Sequence, residues 1–170
     1  GPSTWVLHDY HQDFEQEFTK NLGNKEYQIL KKNGLGLRNI LKIKLTADTS
    51  DLNSSSVQSG NVSLDDIHFV MAAYLKTPIT LDKLKAAVTD LAHLHDNKEG
   101  NKNDPQIKPA TFNGYSGLNF SVGKDQKLAA FLGDDGQSIV VCPSTQAAAL
   151  AKKLKAKMKT KKQKKKLCEL

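Results

Sequence analysis

Cys142 is the residue whose type and setting could carry covalent chemistry. It follows the apolar run Ile139-Val140-Val141 and precedes Pro143-Ser144-Thr145, where a helix is expected to start. A helix N-terminus lowers a thiol's pKa and so makes a better nucleophile. The base for such a site would be His68, His93 or His95, with Asp90 or Asp96 to orient it. A cysteine-dependent hydrolase or transferase is the reaction class that follows. Against it, the position also reads as the last buried place of a strand. A phosphatase-type Cys-x5-Arg loop is excluded, because residue 148 is alanine. The ordinary reading of Cys142 is a structural thiol, with no catalytic residue favoured.

The histidines raise the question of a metal. His8 and His11 are three apart, and His93-Leu94-His95-Asp96 forms a second group. Zinc draws three or four convergent ligands, and neither Cys-x-x-Cys nor His-Glu-x-x-His spacing occurs. No metal and no other cofactor is expected. Gly34-Leu35-Gly36 lacks a following helix and Gly133-Asp134-Asp135-Gly136 is acidic, so neither is a phosphate loop. Turn chemistry accounts for Asp134-Asp135, and a helix start accounts for Asp65-Asp66.

Charge is the clearest signal. Lys152, Lys153, Lys155, Lys157, Lys159, Lys161, Lys162, Lys164, Lys165 and Lys166 face a single acid, Glu169, so residues 152–170 carry +9. The first 151 residues hold 15 basic against 17 acidic side chains, a net −2, which restores the +7 of the whole chain. Clustered lysines are drawn to an anionic leaflet by about 1 kcal/mol each, and they also bind phosphates without sequence preference. Arg38 is the only arginine and the basic end has no aromatic residue, which works against bidentate base readout and base stacking. The expected function is a non-enzymatic binding module docking an anionic surface through these ten lysines. Phospholipid headgroups come slightly ahead of nucleic acid, because the segment begins amphipathic and then becomes purely cationic. A protein-interaction fragment of a larger protein is the remaining alternative, with a protein partner.

The elements that would position these residues follow from periodicity. Leu7, Tyr10, Phe14, Phe18 and Leu22 predict a helix from about Thr4 to Leu22, stopped by Gly23. Asn33-Gly34 predicts a tight hairpin joining strands 26–32 and 35–45. Residues 46–62 read as a long polar loop. Ser63 and Asp66 resemble a capping box ahead of a helix with Ile67, Val70, Met71 and Tyr74 inward. Thr80 caps a second helix carrying Leu81, Leu84, Val88 and Leu91, and the short link makes the two an antiparallel pair. Residues 97–117 form a polar connector that could divide the chain. Apolar runs at 118–122, 127–132 and 137–142 predict a three-stranded meander. Ser144 or Thr145 then starts a terminal helix with Ala147, Leu150, Ala151, Leu154 and Met158 as its stripe.

The fold class is therefore α+β: residues 1–158 as one domain, and 159–170 as a polybasic tail expected to be mobile. The chain of 170 residues, 38% of them hydrophobic, is long enough for a real core, and it holds no apolar run near the roughly 18 residues a membrane span needs. Cys142 and Cys168 make no disulfide framework, which points to a reducing intracellular compartment, peripheral to a membrane or nuclear.

Overall fold

The computed structural model describes residues 2–10, 15–48, 67–99, 106–123 and 126–169. The strands are β1 (Ser3–Asp9), β2 (Ile40–Asp48), β3 (His68–Leu75), β4 (Ile107–Phe112), β5 (Tyr115–Val122), β6 (Gln126–Leu132) and β7 (Ser138–Pro143). The helices are α1 (Glu15–Leu22), α2 (Asn24–Lys32), α3 (Leu81–Glu99) and α4 (Ala147–Glu169). All seven strands join one antiparallel sheet in the order β1-β2-β3-β7-β6-β5-β4. The chain leaves β3, crosses through α3 to the far edge and returns strand by strand, so that β7 lands beside β3.

Strand alternation sorts the core into two layers. On one face Ile139, Ala130, Leu132 and Leu118 pack with Ile43, Leu75 and the α3 residues Leu84 and Ala87. On the other, Val140, Cys142, Ala129, Phe131, Tyr115 and Phe112 pack beneath Ala147 and Ala151 of α4. β6 lies between both helices, and its alanines Ala129 and Ala130 keep the two layers close.

The meander stands as expected, and so does the helix that Thr80 caps, where Thr80 Oγ1 accepts the Lys83 N–H at 3.2 Å. Other expectations are corrected. Residues 3–9 form β1 rather than the start of a helix, because Thr4, Trp5 and Val6 find cross-strand partners in Thr46, Leu45 and Lys44. Among the described residues of the expected first helix only 15–22 are helical; residues 11–14, with His11 and Phe14, lie outside them. The stretch 26–32 belongs to α2, not to a hairpin. Asn33-Gly34 closes that helix: Gly34, at φ 83°, donates to Lys31 O, and Leu35 N–H reaches back to Leu30 O at 2.8 Å. This is a Schellman motif, with Leu30 and Leu35 meeting in the core.

Residues 68–75 form the inner strand β3, not a helix. A strand packed among neighbours can be apolar without alternation, which makes His68–Leu75 ambiguous by periodicity. The antiparallel helical pair therefore does not exist, and α3 contacts α2 instead. Residues 49–66, with Ser63, Asp66 and all but the first three residues of the expected polar loop 46–62, lie outside the described residues. Within the expected connector 97–117, β4 and the start of β5 form a hairpin through Asn113 (φ 50°) and Gly114 (φ 91°). Both central residues of this two-residue loop have positive φ, the requirement of a type I′ turn.

Candidate anion-binding helix

α4 enters through a short 3-10 turn, Ser144–Gln146, in which the Gln146 side-chain amide donates to Ile67 O at 3.2 Å. Ala147 and Ala151 are fully buried, Leu150 and Leu154 partly so. The last anchor is Lys155. Its Nζ is 3.2 Å from Asp134 in the β6–β7 turn and sits 4.2 Å from the centre of the Tyr115 ring. Of the ten lysines singled out in the sequence, Lys155 is thus turned inward as a clamp.

Beyond Lys155 the helix continues through Glu169, so the expected tail from 159 onward is helical. Met158, expected to extend the packed stripe, is 48% exposed. One turn on, the positions that would prolong the stripe are Lys161 and Lys162. At about 100° per residue, Lys153, Lys157 and Lys161 fall on one flank of the helix, and Lys152, Lys159 and Lys162 on the other. All six are exposed. The side chains of Lys164, Lys165, Lys166 and Cys168 lie outside the described residues.

The other candidates are placed as follows. Cys142 has no exposed surface, and burial pushes its thiol up to about 11. Both facts are the reverse of what a nucleophile needs. His93 and His95 are exposed on α3, across the sheet from Cys142; His68 is exposed near the start of β3. Asp90, an orienter in the catalytic reading, instead ties α2 to α3: Lys32 Nζ lies 3.3 Å from it and the Asn33 amide 3.4 Å. The Asp96 side chain lies outside the described residues. His8 is buried under β2, where its Nε2 donates to Ile40 O at 2.9 Å.

Among the described residues no three His, Cys, Asp or Glu side chains converge as a metal site would require. A cleft of about 380 Å³ opens at the end of the sheet, lined by Ile79, Leu81, Leu132 and the Gly133–Gly136 turn. Its two carboxylates are already engaged, Asp134 by Lys155 and Asp135 by the Gln137 N–H. No described helix is long and apolar enough to cross a membrane. Sequence reasoning missed the Lys155–Asp134–Tyr115 cluster, whose only local signal is a lysine falling next to the apolar stripe. Comparison with protein-family models, with curated proteins and with solved structures finds no match to this chain.

Proposed function

We propose that this protein is a non-enzymatic binding module that docks a polyanion through the projecting half of α4. One observation carries the reading: the apolar stripe is spent on the sheet by Leu154, while the helix goes on to Glu169 with Lys157, Lys159, Lys161 and Lys162 exposed. A helix lying in a bilayer interface keeps an apolar face for the acyl boundary. Past Lys155, α4 offers only Ala156 and Met158 before Leu167. On this ground we place a phosphate backbone ahead of lipid headgroups, since lysines on both flanks of a helix can meet it. With a single arginine in the chain, binding is indifferent to sequence.

The test is truncation before Lys159, which removes six lysines and none of the buried stripe. Stability should change by no more than about 0.5 kcal/mol. Affinity for duplex DNA should drop sharply, and the log–log salt slope should shrink by up to about five units, from roughly 0.9 per phosphate contact. Anionic vesicles serve as the second arm. Stronger truncation-sensitive binding to vesicles than to DNA would return lipid headgroups to first place. If neither curve responds to truncation, the polyanion reading fails.

A further inference from the structure

The two edges of the sheet differ in the features that govern edge pairing. β4 carries Lys108 and Pro109, and proline has no N–H to offer an incoming strand. Both α3 and α4 also contact it. Among the described residues β1 has neither guard: residues 3–7 hold no charge and no proline, and no helix makes more than a slight contact with the strand. Trp5 is 49% exposed, Val6 53% and Leu7 44%, and Tyr10 follows at 44%. Trp5 and Val6 point to opposite faces of the sheet, so the edge is apolar on both sides.

We propose that β1 pairs antiparallel with β1 of a second copy of this chain across a two-fold axis, making one continuous sheet through both. The segment suits itself better than it suits a charged peptide, because self-pairing of residues 3–7 brings no like charges together. The exposed parts of Trp5, Val6 and Leu7 with their strand offer an area on the order of 400 Å² per copy. About 800 Å² in total falls below the roughly 1,000 Å² of a standard specific interface and in the range of a weak, transient one. A bulge between Val6 and His8 shortens the ladder further, so affinity should be micromolar. The cationic helix does not oppose pairing. It is clamped by Lys155 at the β6–β7 turn, three to four strand spacings or roughly 14–19 Å from β1. That exceeds the screening length of about 8 Å at physiological salt.

Sedimentation equilibrium of the full chain, from about 1 μM to about 500 μM, brackets the affinity expected of so small an interface. The mass should rise from one chain to two. Trp5, the single tryptophan, should shift its emission to the blue over the same range. Val6→Lys sets charge near charge across the axis and should stay monomeric throughout, with a thermal melt like the parent's because Val6 is exposed. The chain truncated before Lys159 should dimerise like the full chain, which keeps this outcome apart from that of the DNA titration. A parent chain that stays monomeric with constant Trp5 emission overturns the proposal. So does a Val6→Lys chain that dimerises equally well, or assembly that grows past two copies.

Discussion

The β4–β7 half of the sheet is clad by helices on both faces, whereas the β1–β3 half is left partly bare. One row of paired residues crosses both: Trp5, Leu45, Met71, Val141, Ala130 and Leu118 stand in successive register. Along that row exposure runs from 49% at Trp5 to none at Leu118. All six are apolar, so residue type does not set the gradient. What differs is the cover. α3 and α4 cover opposite faces of the meander, and alanine in β6 lets both approach. On the face opposite α3, the strands β1, β2 and β3 present Val6, Lys44, Ala72 and Tyr74, with Val6 and Tyr74 exposed. Stability is therefore expected to reside in the meander, and surfaces for association in the β1–β3 half and on the overhanging helix.

Substitutions in the two halves can break this contrast. Phe131 is buried, stacked on Tyr115 at 5.5 Å and tilted against Phe112 at 5.8 Å. Phe131→Ala should cost about 3–5 kcal/mol in urea unfolding. Tyr74→Ala, at a position 41% exposed, should cost about 0.5 kcal/mol or less. Equal losses would mean that the cladding has no energetic weight.

A pH series sharpens the same point. The Cys142 thiol titrates near 9.0 when solvated and near 11 in the fold, because burial penalises the thiolate. The folded state then holds its proton more tightly. The contribution is intact below about pH 9 and is lost as pH climbs through 11, by about 2–3 kcal/mol. Cys142→Ala should flatten that part of the stability curve relative to the parent. Iodoacetamide should reach Cys142 only on unfolding; rapid labelling of the native chain would show that α4 does not seal this layer.

Gly117 tests how closely the layers are packed. A Cβ built there overlaps Ala130 O and lies 2.7 Å from Phe131 Cβ. Gly117→Ala should destabilise by about 1–3 kcal/mol through displaced backbone. A smaller effect than this is expected at the clamp. Asp134 is largely exposed, so Asp134→Asn should cost at most about 1 kcal/mol. Lys155 keeps its place over Tyr115 in that variant. A loss well beyond this would mean that the ion pair, rather than the alanine and leucine stripe, holds α4 down.

The Asn-Gly dipeptide shows what local reading can and cannot do. It occurs twice, at Asn33-Gly34 and at Asn113-Gly114. Both glycines take positive φ, as the residue type demands. The first ends α2 and the second turns the β4–β5 hairpin, yet only the first looked like a hairpin, because alternating residues follow it. Nothing within two residues tells a Schellman cap from a type I′ turn. The distinction lies in whether the preceding segment closes its own hydrogen bonds or borrows a neighbour's. Lysine placement was legible in the same partial way. The cationic run was plain, but the inward turn of Lys155 required Asp134 and Tyr115, both remote in sequence.

By itself the sequence determined the α+β class, the meander, the helix after Thr80 and the cationic terminal helix. In each of these, hydrophobic periodicity and a nearby cap or turn agree, and the bonds formed are local or between adjacent segments. Only the tertiary structure decided that residues 3–9 and 68–75 are strands. Their apolar spacing fits a helix as well as a strand, and cross-strand pairing with residues some 20 to 70 positions away tips the balance. The same long-range pairing decided that β7 lies against β3, that Cys142 is sealed beneath α4, and that β1 is left as an open edge. Whether a side chain is covered depends on which elements the sheet brings over it, and a linear pattern carries no record of that.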